Sequence, residues 1–138
     1  MGLQFSVAAR NAELDAIETA IGTSAILQLR SGAAPANCAA ADSGTLLCQM
    51  ALPADYLAAA ASGSKAKSGT WSGTGAAGAG TGTNVGHFRI KDSTATTTHI
   101  QGAVTATGGG GDMTMDNVNI AQNQAVTVNS FSITAGNP

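Results

Sequence analysis

The chain has 138 residues, with 43 % apolar, 4 % aromatic and 10 % charged residues and a formal net charge of -2. That length suits one domain, and the charged fraction is far below the roughly 25 % usual in soluble domains. The six Lys and Arg are scattered and form no basic patch, which excludes electrostatic binding to a phosphate backbone; no apolar run approaches a membrane-spanning helix.

At the N-terminus, MGLQFS matches the N-myristoylation pattern at Gly2 and Ser6, a short match read as coincidence. No charged start with an apolar core marks a secretory signal, so cytoplasmic synthesis without export by the usual route is expected. SVAARNAELDAIETAIG predicts one helix, with Ser6 as N-cap and Gly22 as C-cap. Val7, Leu14, Ile17 and Ile21 form its apolar stripe, interrupted by Arg10. Asn11 and Glu18 edge the stripe, and Glu13 and Asp15 are expected to face water.

Beyond Gly22 the period changes to two. Leu27 and Leu29 alternate with Gln28 and Arg30, and Leu46, Cys48, Met50 and Leu52 share a face, closed by Pro53. Between them lies the loop GAAPANCAAADSG. Cys38 in that loop and Cys48 on the strand read as free thiols, a disulfide requiring the loop to fold back; two thiols are too few for zinc. Tyr56 to Ala60 suggests one helical turn, and a short strand is expected around Trp71.

GHFRIKD restarts the alternation, with Phe88 and Ile90 inward and His87, Arg89 and Lys91 outward. Ile100, Gly102 and Val104 share a side, as do Met113, Met115, Val118 and Ile120, with a bend or bulge at Asp116-Asn117. Gln122-Asn123 reads as a turn. The phase slip at Asn129-Ser130, between Val126/Val128 and Phe131/Ile133, reads as a β-bulge. About eight short strands after one helix predict a mainly β fold, an antiparallel β-sandwich or jelly-roll-like domain over 23–138 with long Gly-rich loops. Residues 1–22 are expected to form the N-terminal helix, which packs either on its own sandwich or, as an interface arm, on a neighbour.

Chemistry is sparse. Gly73, Gly75 and Gly78 satisfy G-x-G-x-x-G, but no helix is expected to follow, so the stretch is a loop and not a dinucleotide site. His87 and His99 fall on the polar phase of neighbouring strands and read as surface or interface residues rather than metal ligands with Asp92. Asp112 and Asp116 match no calcium loop. With no nucleophile–base pair, the chain reads as a non-enzyme without cofactor or metal. One Trp and one Tyr are few for the aromatic platforms of a carbohydrate-binding module, the less favoured reading from a different class.

Three segments carry a resemblance: RNAELDAIETAIGTSAILQLRSGAAPANCAAADSGTLLCQMALP, SGSKAKSGTWSGTGAAGAGTGTNVGHFRIKDSTATTTHIQGAV and GGGGDMTMDNVNIAQNQAVTVNSFSITAGN. Together they resemble small virion-associated structural proteins of tailed bacteriophages and prophages. The resemblance implies a capsid decoration (cement) protein in the virion, or else a neck, tail or fibre-associated component. Its partners would be the major capsid protein or other virion proteins, and its own copies in a dimer or trimer. It carries no active-site residues to transfer. Candidate contacts are Trp71, Gly75, Gly78, Gly80 and Gly82 in an uncharged stretch expected to order on assembly, and Leu14, Ile17 and Ile21 on the helix.

Overall fold

A computed structural model describes residues 2–137. The helix α1 (Val7–Ile21) begins where the Ser6 hydroxyl accepts the Ala9 amide at 3.1 Å and ends at Gly22, whose φ of 84° suits glycine. Leu14 and Ile21 are buried, Ile17 packs on the core, and Val7 stays 48 % exposed. The helix lies on its own domain: Arg10 donates to the Ala135 carbonyl at 3.2 Å and Asn11 accepts the Gly63 amide at 2.9 Å.

Ten strands follow: β1 (Ile26–Ser31), β2 (Leu46–Ala51), β3 (Ser64–Ala66), β4 (Ser72–Thr74), β5 (Thr83–Lys91), β6 (Thr98–Ala106), β7 (Met113–Met115), β8 (Asn119–Ile120), β9 (Ala125–Thr127) and β10 (Ser130–Thr134). The fold is mainly β and mostly antiparallel, as expected. The large sheet runs β2-β1-β5-β6-β7-β10-β3, with β8 also on β5, and β4-β9 forms a separate ribbon. Only β6 and β7 pair in parallel among the described residues.

Four local expectations are corrected. Residues 56–60 make no helical turn; Leu57 bridges Lys67 and Ala58 donates to Ala66. The slip near Asn129 is a full break: β9 pairs with β4, whereas β10 pairs with β7 and β3. Likewise β7 and β8 separate at the Asp116-Asn117 bend and pair with different strands. In β2 the register skips Leu47 between the Leu29–Cys48 and Arg30–Leu46 pairs. Leu47 is therefore fully buried while Leu46 is only half-buried.

The sheet closes over its own face. Strands β5 and β10 are three positions apart, about 14 Å in a flat sheet, yet the Phe88 and Phe131 rings meet edge-on at 5.5 Å. Trp71 lies 5.5 Å from Phe131 and 6.4 Å from Tyr56, and its indole N–H reaches the Ser68 carbonyl at 3.1 Å. The result is a sandwich-like body around one apolar cluster.

Register sets two distinct faces on the central strands. Inward rows are Met50–Leu27–Ile90–Ile100 and Cys48–Leu29–Phe88–Gly102. Gly102 gives room there, because a Cβ would lie 2.6 Å from the Asp112 carboxylate and 2.9 Å from the Phe88 ring. The opposite rows are Gln49–Gln28–Arg89–Gln101 and Leu46–Arg30–His87–Ala103. His87, Arg89 and Lys91 do point to this second face, but it is not wet: they are 0 %, 1 % and 4 % exposed. The loop between β1 and β2 covers them.

Candidate functional site

That loop, residues 32–45, carries almost no apolar bulk, so its hold on the sheet is polar. The Arg89 guanidinium donates to Asp42 at 2.6 Å and to the carbonyls of Cys38 at 2.8 Å, Ala40 at 3.1 Å and Asn37 at 3.4 Å. Arg30 reaches Asp42 at 3.0 Å and the Gly44 carbonyl at 3.2 Å, and Lys91 reaches Asp42 at 2.7 Å. Gln101 donates to Pro35 at 2.7 Å, and His87 Nδ1 to Gly32 at 2.9 Å. Carbonyls of an irregular segment laid on a sheet need donors, and the long side chains of the second face supply them.

Asp42 thus bridges three cations, with its own side chain 28 % exposed. Burial alone would raise its carboxyl. The hydrogen bond from Lys91 and the charges of Arg30 and Lys91 outweigh burial and hold it below the ordinary value. Beside this cluster is a cleft of about 500 Å³, between residues 38–42, Arg89, Lys91 and Thr96, Thr97 and Thr98.

A second polar fastening joins α1 to β3. Lys65, 2 % exposed, places Nζ 2.7 Å from Asp15 and 2.8 Å from Glu18. Asp15 therefore does not simply face water; the Lys65 hydrogen bond holds its carboxyl below the ordinary range. Burial opposes the charge on Lys65, but its hydrogen bonds to both acids raise it above the usual lysine value. The adjacent groove holds Tyr56, whose hydroxyl is pushed up to about 12 by burial and by Glu18. Lys67 donates to the Gly69 carbonyl at 2.8 Å and lies 5.8 Å from the Trp71 ring centre. All six cationic side chains are therefore used inside the chain, and each is buried or half-buried.

The residues singled out from the sequence separate into groups. Leu14, Ile21 and Trp71 are buried in the chain's own core, and Ile17 packs against it. The Gly-rich stretch is already held in the single chain. Gly75 exchanges backbone hydrogen bonds with Gln124 and Asn123, Ala76 donates to Leu47, and Gly80 accepts from Gln122. A Cβ at Gly75 would overlap the Ala121 carbonyl, and one at Gly78 would meet Thr45 at 2.8 Å. Gly80 and Gly82 turn the chain at φ 58° and 147°. The stretch leads into a short 3-10 turn, Ala77–Ala79, and then β5, so it opens no helix. The segment left outside is the N-terminal one: Leu3, Phe5 and Val7, at 68 %, 46 % and 48 %, are the exposed large apolar side chains among the described residues.

His87 pairs across the sheet with Ala103, and His99 is skipped by the register between the Ile90–Ile100 and Lys91–Thr98 pairs, so the two histidines do not converge. Asp112 accepts the Ala103 amide, and Asp116 accepts from Thr107 and Asn129. Among the described residues no group of three or more His, Cys, Asp or Glu is placed to hold a metal. No described helix is long and apolar enough to cross a membrane. Cys38 and Cys48 are free, and burial pushes the Cys48 thiol up to about 11.

Sequence reasoning missed the Arg30–Asp42–Arg89–Lys91 cluster. A signal was present: in a chain with so few charges, Arg89 and Lys91 stand two apart on one strand, and Arg30 occupies the polar phase of another. Compared with protein-family models, with curated proteins and with solved structures, the chain matches none.

Proposed function

We propose that this chain is a structural component of a tailed-phage particle, a decoration protein that packs on the mature shell through a surface free of exposed cations and through its N-terminal arm. The sequence resemblance supplies the particle. The observation that supports the mode of action is the inward use of all six cations. What remains outside is rich in Thr, Ser, Gly, Ala and Asn, with the apolar Leu3, Phe5 and Val7 beside it. Such a surface lies against another protein without burying unpaired cations. A ligand that binds only the expanded lattice stabilises it by mass action. Many copies in a closed lattice multiply a modest contact energy, and dimers or trimers fit its symmetry axes.

Quantitative mass spectrometry of purified particles, scaled to the major capsid protein, tests the reading. A ratio near one or a simple fraction of one is the expected result. A handful of copies per particle would move the chain to the neck or tail, and absence from the particle would overturn the proposal.

A further inference from the structure

We propose that the cleft between the 38–42 loop and the β5–β6 turn is a binding site for a doubly charged tetrahedral oxyanion, phosphate or a phosphate monoester. Charge comes first. Arg30, Arg89 and Lys91 share one carboxylate, Asp42, so three positive charges less one negative leave the cluster at plus two, with Arg89, Lys91 and Asp42 lining the cleft and Arg30 joined to it through Asp42. Arg89 and Lys91 are 1 % and 4 % exposed, and uncompensated charge at such depth is costly. A monocarboxylate would leave the cluster positive. A phosphate group, close to minus two at neutral pH, brings it to balance.

Free donors come second. The terminal nitrogens of Arg89 are committed to the loop and its Nε is buried, so Arg89 offers charge and Lys91 the donors. Lys91 has three N–H groups and makes one hydrogen bond, to Asp42. Thr97 and Thr98 line the same cleft, and the hydroxyl hydrogen bonds of this turn among the described residues are those of Thr94 and Thr96. Asp42 is the carboxylate that lines the cleft; Asp92 is turned into its own loop, accepting from the Thr96 and Thr97 amides and from the Thr94 hydroxyl. It does not line the cleft. Space comes third: about 500 Å³ lies within the range of small-molecule sites and admits a carrier as well as the free ion.

The test is an amide-resolved NMR titration of the isolated full chain at neutral pH and constant ionic strength. Inorganic phosphate, glycerol phosphate and acetate are compared, with chloride as the balancing salt. Saturable shifts confined to residues 38–42 and 96–98, with inorganic phosphate or glycerol phosphate and not acetate, are expected. Tighter binding of glycerol phosphate identifies a phosphate on a carrier, and tighter binding of inorganic phosphate the free ion. Lys91→Gln should weaken binding about tenfold or more, the loss of a charge-assisted hydrogen bond. Thr97→Val, which leaves the ion cluster intact, should weaken it by a smaller factor and decides the matter if Lys91→Gln does not fold. No saturable shift with either phosphate, or unchanged affinity in a folded Lys91→Gln or in Thr97→Val, would overturn the proposal. The titration needs no particle, so a negative result leaves the structural role untouched.

Discussion

On one face of the β2, β1, β5 and β6 strands, Leu27, Leu29, Phe88 and Ile90 are sealed by apolar packing. On the other, Gln28, Arg89 and Lys91 are buried as well, beneath a loop whose apolar residues are alanine, one proline and one cysteine. The first face stabilises the fold outright, by about 1.5–3 kcal/mol for each large side chain buried. The second contributes less net energy, since desolvation offsets much of the ionic attraction. What it supplies is position: Arg89 reaches three loop carbonyls and one carboxylate, four acceptors fixed at once by one planar guanidinium.

The largest expected effect comes from removing the shared anion. Asp42→Ala leaves Arg89 and Lys91 buried without their counter-charge and should cost about 3–5 kcal/mol in denaturant unfolding. A loss below about 1 kcal/mol would mean the second face is not held by charge. Leu29→Ala, on the first face, should cost about 3 kcal/mol with the loop still seated. Near-ultraviolet circular dichroism and protection of the loop amides would separate the two variants. Loss of loop protection in Leu29→Ala would dissolve the distinction between the faces.

Acidification sharpens the same contrast. Asp42 and Asp15 sit below the ordinary 3.8, and Asp92 falls to about 2 because the Thr96 amide and its neighbours bind the ionised form. A depressed carboxylate contributes stability that is complete above the unfolded value and lost as pH falls through the folded one. The denaturation midpoint should therefore hold down to about pH 4 and drop below it. On the alkaline side Cys48 and Tyr56 resist ionising, from 9.0 to about 11 and from 10.0 to about 12. Only the unfolded chain gains by ionising in those windows, so stability declines as pH rises through them. A midpoint that slides across neutral pH would contradict this.

The smallest effect on folding belongs to the N-terminal arm. Leu3→Ser with Phe5→Ser should change stability by less than about 0.5 kcal/mol, since both side chains are exposed. If the proposed structural role holds, occupancy on particles should fall all the same. Unchanged occupancy would remove the arm from the contact.

Much of the first face was legible in the sequence. Ser6 and Gly22 bound the helix where their chemistry says they should, and the alternation of Leu27, Leu29, Phe88 and Ile90 picked out the inward side. The second face was not legible, because alternation reports which side a residue takes and not what covers that side. The Leu47 bulge was hidden by the Leu-Leu pair, where either leucine satisfies the pattern. The breaks at Asp116 and Asn129 were visible as irregularities, but which partner each half would find depends on pairings far along the chain.

By itself, then, the sequence determined a helix followed by short strands, an apolar face and a chain with very little charge, since these follow from local propensity and periodicity. The tertiary structure decided how that charge is used. Arg30, Asp42, Arg89 and Lys91 are up to 61 positions apart, from 30 to 91, and no periodicity links them. Only the β1–β5 register and the return of the loop across both strands bring them within hydrogen-bond reach, because an ion cluster is a matter of distance in space, which a pattern along the chain does not encode.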